Sequence, residues 1–315
     1  MSQNIPITPK ASGGFTAEQV EDLQEWVVQE VENAYAFRLS LDSMYRDLLK
    51  MYDGIPKDPI KNFPIPNAPN IELTIGAIAA DSLNAQVVDL LWSVSPFITC
   101  RAIGDSEGAA MKVKAFQRFV NRLAADMDLR EASDDSNLDC IQLGTLGYYV
   151  PFVEKQRKVK GGKKVEWFGP KARAIPIENL LFPAGASSRY KELPWIGIRF
   201  WWYEHEVHSL AQSNGWDIGT EEEPRIAKAA HKDWMTLRRE TLAKQGPSSA
   251  SLSDFYEIID LYVLYDIDRD GIAEDLYIVY DRTSKKVLYA KYNPYSELPL
   301  VIAQYQKRAH MLVGK

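Results

Sequence analysis

The sequence predicts an α+β protein, with a helix-rich N-terminal half followed by antiparallel β hairpins and a meander that carries short helices. Three observations lead there. Apolar residues recur in steps of three and four from Val20 to Leu48, the period of one helical face. Beyond residue 145 the pattern changes to short aromatic and β-branched runs separated by Gly or Asp-Gly turns, which is hairpin chemistry. The 315 residues are 46% apolar and 25% charged, enough for a buried core and too apolar for a disordered chain.

Residues 1–14, with Pro6, Pro9, Gly13 and Gly14, read as a flexible arm. Thr16 and Gln19 then have the spacing of a capping box. The stripe that follows is Val20, Leu23, Val27, Val31, Ala34, Phe37, Leu41, Met44 and Leu48, stopped past Tyr52 by Gly54 and Pro56. Such a helix spans about 50 Å at 1.5 Å per residue, with a break near its middle left open. It could serve equally as a core helix or as the lining of a subunit interface.

Pro56, Pro59, Pro64, Pro66 and Pro69 predict an extended crossing. Helix resumes near Thr74 with Ile75, Ile78, Leu83, Val87 and Leu90 expected inward, and Pro96 ends it. Phe97, Ile98 and Thr99 then read as the start of a strand. Residues 62–102 are thus an oily helix between proline turns, a part suited to assembly. A third helix is expected over 105–126, with Val113, Phe116, Phe119, Val120 and Leu123 on one side, and a fourth over 129–143.

Gly144 and Gly147 bracket a turn, residues 148–159 read as a strand, and Gly161-Gly162 is a hairpin turn before the return over 163–175. Residues 176–182 form a tight corner, and 193–202 an aromatic strand. A short helix over 204–214 is closed by Gly215, a second is expected over 224–244, and 245–253 is a polar linker. Strands over 255–265, 275–281 and 285–292 read as a meander, with one more strand and a loop after it. The expected organisation is the arm, a helical part over 15–145 and a β-rich part over 146–315.

The formal charge of −6 argues against non-specific gripping of DNA, which needs a basic surface to release counterions. Cys100 and Cys140 read as buried free thiols of a reducing compartment. The first residues lack a signal-peptide core, and no run approaches the roughly 18 apolar residues of a membrane span. Synthesis in the cytoplasm, with no membrane partner, is the expectation.

The sharpest local motif is DIDRDGIAED over 266–275. Asp266, Asp268 and Asp270 alternate toward one centre, Gly271 permits the bend, and Glu274 stands at the ninth position, as in the front half of a calcium loop. Tyr277 occupies the twelfth position, where an EF-hand needs a bidentate Glu, and the flanks read as strands. An EF-hand is excluded. A β-hairpin Ca2+ site and a solvated acidic turn both stay open. A basic run around Gly161-Gly162 makes Lys158, Lys160, Lys163 and Lys164 candidates for phosphate contact, against the plainer reading of a soluble hairpin tip. His205 and His208 share a predicted helix without zincin spacing and read as a surface pair. No catalytic residue is assigned, and no cofactor is required.

Taken in order, several segments resemble the tailed-bacteriophage portal proteins, the head-to-tail connector subunits. They are Tyr52-Asp53-Gly54-Ile55-Pro56, the Pro/Asn-rich loop over 64–70, Pro96-Phe97, and the glycine-marked hairpin over 144–167. After them come the 176–182 corner with Pro183 and Ala184, the strand from Trp195 to Arg199, the Asp-rich hairpin, and the run from Asn293 through Gly314. The resemblance implies a portal wing fold and a homo-oligomeric ring of about twelve subunits, closed by symmetry. It implies placement in the virion at the capsid portal vertex, where double-stranded DNA passes during packaging and ejection. Terminase, the major capsid protein and head–tail adaptor proteins are the implied partners. ATP hydrolysis belongs to a partner, so this subunit is not expected to be an enzyme. The family continues into a stem and clip, and no channel-lining or terminase-docking residue is carried over. Two other readings stay open: a different head–tail connector or adaptor, or a calcium-dependent enzyme or binding protein using the 266–275 loop.

Overall fold

The computed structural model describes residues 15–55, 60–61, 65–66, 68–69, 74–102, 108–159, 162–186, 189–220, 223–229 and 255–306. Along the chain run α1 (Ala17–Tyr52), β1 (Ile60–Lys61), β2 (Ala68–Pro69), α2 (Ile75–Trp92), α3 (Ala109–Asp126) and α4 (Leu129–Leu143). Then come β3 (Thr145–Tyr149), β4 (Phe152–Val159), β5 (Gly162–Pro170), β6 (Arg173–Ala174), β7 (Leu180–Leu181), β8 (Trp195–Tyr203) and α5 (Glu204–Asn214). The last strands are β9 (Phe255–Tyr265), β10 (Glu274–Asp281), β11 (Lys286–Tyr292) and β12 (Leu300–Gln304). The fold class is α+β. The expected arm over 1–14 and linker over 245–253 lie outside the described residues.

Two compact units form. One draws its described residues from Met1–Arg46 and Glu178–Leu298, the other from Asp47–Ile177 and Pro299–Arg308. The helical and β-rich segments do follow one another along the chain, but each unit combines pieces of both.

The first unit is built on an antiparallel sheet in the order β11-β10-β9-β8-β7. β9 is buried along nearly its whole length because both faces are covered. Alternate side chains point to opposite faces, and here the alternation is clean. Ile259, Leu261 and Val263, with Leu276, Ile278 and Tyr280 of β10, pack under Leu23, Val27, Val31 and Ala34 of α1. Tyr256, Ile258, Val279 and Leu288 pack on the other side against Val207 and Ala211 of α5, Trp216 and Ile226. The α1 capping box forms as expected: the Thr16 N–H donates to Gln19 Oε1 at 2.9 Å and the Gln19 N–H to Thr16 Oγ1 at 3.3 Å.

α1 is continuous, and its buried stripe departs from the expected one after Ala34. Arg38 and Tyr45 are buried, whereas Phe37 and Met44 are exposed. A step averaging 3.5 residues drifts around a helix of 3.6 residues per turn, so the apolar sequence stripe leaves the core side. Arg38 is satisfied there, donating to the Leu180 carbonyl and, at 3.0 Å, to Asp42. The helix expected from Pro224 is absent over 224–229. That stretch is irregular, with Pro224 bridged to Gly219, the Ala227 N–H donating to Asp281 Oδ2 and the Ala229 N–H to the Phe255 carbonyl; residues 230–244 lie outside the described ones.

The second unit is organised by α4, against which α2 and α3 each pack. Its buried side chains Ala132, Ser133, Ser136 and Cys140 are small, with Leu143 the one large side chain among them. Gly144, at φ 77°, ends the helix with its N–H on the Cys140 carbonyl at 2.9 Å, the left-handed cap that favours glycine. A three-stranded sheet follows in the order β12-β3-β6, and β4 and β5 form a separate hairpin. The strand expected over 148–159 is split at Val150-Pro151, because Pro151 has no N–H to continue a ladder.

Four further expectations fail in this unit, in whole or in part. Phe97, Ile98 and Thr99 form no strand; side chains of α3 take the place of a strand partner. Asn121 accepts from the Ile98 N–H at 3.0 Å and donates to its carbonyl at 2.8 Å, and Gln117 accepts from the Cys100 N–H at 3.1 Å. Cys140 is buried, but Cys100 is only half-buried. The apolar side of α2 also points the other way. Its shielded positions are Ala77, Ala80, Asn84, Val87, Val88 and the terminal Trp92, while Ile75 and Ile78 are each 67% exposed and Leu90 is 76% exposed. Of the five residues expected inward, Val87 alone is shielded. α2 is apolar on nearly all sides, so periodicity could not say which side meets α4. The contact is fixed instead by Asn84, whose Nδ2 donates to Asp134 Oδ1 at 2.7 Å. On α3 the shielded side holds Val113, Val120 and Leu123 as expected, but Phe116 and Phe119 stand in the open.

Candidate functional site

The β9–β10 connection brings the four predicted carboxylates together. Asp266, Asp268, Asp270 and Glu274 each offer an oxygen within 4.8 Å of the others. Backbone geometry explains the convergence. Asp266 accepts from the Asp270 N–H at 3.1 Å and the Gly271 N–H at 2.8 Å, and Asp270 accepts from the Ile272 N–H at 2.8 Å. Arg269 and Gly271 take positive φ, 62° and 93°, which tightens the turn; at Gly271 the absent Cβ makes this cheap. Glu274 closes the loop by accepting from the Ile267 N–H at 2.9 Å.

The loop is anchored on its other side. Ile267 is buried in the core under α1, Gln19 donates to its carbonyl at 3.2 Å, and Arg269 pairs with Asp22 at 2.5 Å. The carboxylates are thereby held close on a partly solvent-facing rim. Asp268 titrates above the usual aspartate range. The Asp270 N–H bond to it works in the opposite direction, and is outweighed by desolvation and by the negative charges of Asp270, Glu274 and Asp266. Four carboxylates sharing one centre are a donor set for a hard, oxygen-seeking cation such as Ca2+, with free coordination positions left for water. Among the described residues this is the one group of three or more His, Cys, Asp or Glu side chains that converges in this way.

The basic hairpin tip is only partly visible. Lys164 is exposed. Lys158 and Lys163 are register partners in the β4–β5 ladder; their side chains, and all of Lys160, lie outside the described residues. His205 and His208 are exposed on α5, with His205 stacked on Tyr203 at 5.9 Å between ring centroids.

A buried ionic cluster escapes the sequence reading. Glu257 of β9 is wholly buried. It pairs with Arg282 Nη1 at 3.2 Å and Arg199 Nη1 at 3.6 Å, and accepts from the Tyr35 hydroxyl of α1 at 2.7 Å. The Arg282 guanidinium lies 3.4 Å from the Tyr35 ring centre. Burial, foremost, and the Glu257 carboxylate push the Tyr35 phenol well above its ordinary value. The cluster ties α1 to the sheet. A signal for it does exist: a glutamate inside the apolar run of β9 and an arginine inside the apolar run of β8 each demand a buried partner.

In the second unit, Asp81, Asn84, Asp89, Arg130 and Asp134 line an open, predominantly acidic cleft of α2 and α4, and the Tyr52 hydroxyl donates to Asp81. No helix among the described residues is long and apolar enough to cross a membrane. Compared with known proteins, the chain matches no family model and no curated protein.

Proposed function

We propose that this chain is a structural subunit of a portal ring, standing at the capsid vertex as the conduit for DNA and as the platform on which terminase, capsid and tail adaptors meet. The segment order from Tyr52-Pro56 to the run beginning at Asn293 motivates the reading. The observation that carries it is the apolar side of α2 and the aromatic side chains of α3 left in solvent, with Leu90 76% and Met111 80% exposed. Apolar patches of this extent on a protein surface mark contact with another macromolecule. A conduit also gains from an acidic chain, since many simultaneous Lys/Arg–phosphate pairs would hold DNA rather than let it slide.

Electron microscopy of the purified assembly tests this. Closed rings with an axial opening are expected, and labelled chain should appear at a single vertex of the capsid. A chain that stays monomeric at high concentration, or that decorates the tail instead, contradicts the reading; the latter outcome would favour another connector.

The same reading takes the Asp266–Asp268–Asp270–Glu274 centre as a Ca2+ staple for the β9–β10 hairpin. Calorimetric titration with Ca2+ should give saturable binding that is lost in Asp268→Asn/Asp270→Asn. A calcium-dependent enzyme or binding protein would instead lose an activity, and not only stability, in that variant.

A further inference from the structure

We propose that the outward face of α2 in one copy of this chain docks on the outward face of α3 in the next, so that copies join head to tail through the second unit. This rests on the ring reading above and specifies the contact. The two faces are unlike each other and complementary. α2 presents Ile75, Ile78, Leu83 and Leu90, and its only charges are the exposed Asp81 and Asp89, on the edge this face shares with the acidic cleft. α3 presents Met111, Phe116 and Phe119 among Lys112, Lys114 and Arg118, all exposed, and its one acidic residue, Asp126, is paired with Arg122. One face is oily with acidic charge; the other is aromatic with basic charge.

Two like copies of either face would leave its charges opposed to themselves. Pairing α2 with α3 brings opposite charges together around an apolar centre, the arrangement that sets register and excludes wrong partners. Each helix also uses its other side on α4, so a copy carries both faces at once. A contact between two different patches of the same chain is heterologous, and heterologous contacts produce rings or filaments rather than closed dimers. Both helices are anchored within the unit, α2 to α4 through Asn84–Asp134 and α3 to the preceding segment through Asn121–Ile98, so the faces are presented on a preformed surface.

Complementation between two variants tests the pairing without needing its register. Ile78→Asp/Leu90→Asp spoils the α2 face, and Met111→Asp/Phe119→Asp spoils the α3 face; all four positions are exposed, so folding should survive, as circular dichroism and thermal unfolding would verify. Sedimentation velocity should find wild type assembled, each folded variant monomeric alone, and their mixture forming a one-to-one dimer and nothing larger. Wild type that assembles together with variants that also assemble alone would overturn the face assignment and leave the ring reading standing. Monomeric variants that stay monomeric on mixing would overturn the head-to-tail pairing. A monomeric wild type would overturn both.

Discussion

The two units bury their apolar side chains differently. In the first, β9 and β10 are covered on both faces, and α1 turns its unbroken stripe from Leu23 to Ala34 onto them. In the second, α2 shields alanines, valines, an asparagine and its terminal Trp92 while it exposes isoleucines and leucines. Burying a Leu or Ile side chain is worth about 1.5–3 kcal/mol. On α2 that gain is left unrealised within its own unit. The first unit covers its apolar side chains itself, whereas the second leaves those of α2 and α3 exposed.

The contrast between the units breaks most readily at Glu257. Glu257→Leu removes the buried carboxylate that Arg199 and Arg282 share, and removing one partner of a buried pair costs about 3–5 kcal/mol. Urea unfolding should show a loss at least as large as that of any core truncation. A loss under about 1 kcal/mol would mean that the cluster does not hold α1 to the sheet.

A matched pair of truncations comes next. Leu261→Ala, in the two-sided core, should cost about 2–5 kcal/mol. Leu90→Ala should leave the dissociated chain within about 0.5 kcal/mol of wild type while weakening assembly. Equal losses in the two would remove the distinction between the units.

Asp281 gives a smaller effect that depends on pH. Burial raises its carboxyl above the ordinary aspartate value, although hydrogen bonds from Ser284, Ala227 and Thr283 oppose the rise. A raised folded-state value means that the folded state binds the proton more tightly. Its stabilising contribution is therefore complete below the unfolded aspartate value and is lost as pH rises through the folded one. Stability measured upward from the usual carboxylate range should carry that falling contribution, and Asp281→Asn should remove it. An unchanged pH profile in the variant would assign the slope to other groups.

The least disruptive test is calcium. Saturating Ca2+ against chelator should raise the unfolding temperature, by an amount equivalent to about 2.7 kcal/mol when free ion exceeds Kd a hundredfold. Asp268→Asn/Asp270→Asn should abolish the difference. No difference in wild type would leave the loop an acidic turn.

Much of this architecture is legible in the sequence where local chemistry and tertiary demand agree. The Thr16–Gln19 box, the extent of α4, α5 closed by Gly215, the meander and the convergence of Asp266, Asp268, Asp270 and Glu274 all follow from spacing and turn residues, whereas Gly147, read as the edge of a turn, lies inside β3. The failures occur where two partners compete for one segment. Phe97–Thr99 has strand composition, but the Asn121 amide takes both backbone groups of Ile98, and Gln117 takes the N–H of Cys100 just beyond. α2 is apolar all round, so its inner side is chosen by Asn84 meeting Asp134, a contact 50 positions away in sequence. Arg38 replaces an apolar residue in the α1 stripe because a distant carbonyl, that of Leu180, is there to receive it.

Hydrogen exchange read at rising protein concentration tests most directly whether a neighbour completes the second unit. Amides of α2 and α3 should gain protection as the chain assembles, while those of β9, already covered on both faces, stay as they were. Assembly with unchanged exchange in α2 and α3, or with new protection confined to the first unit, would contradict it.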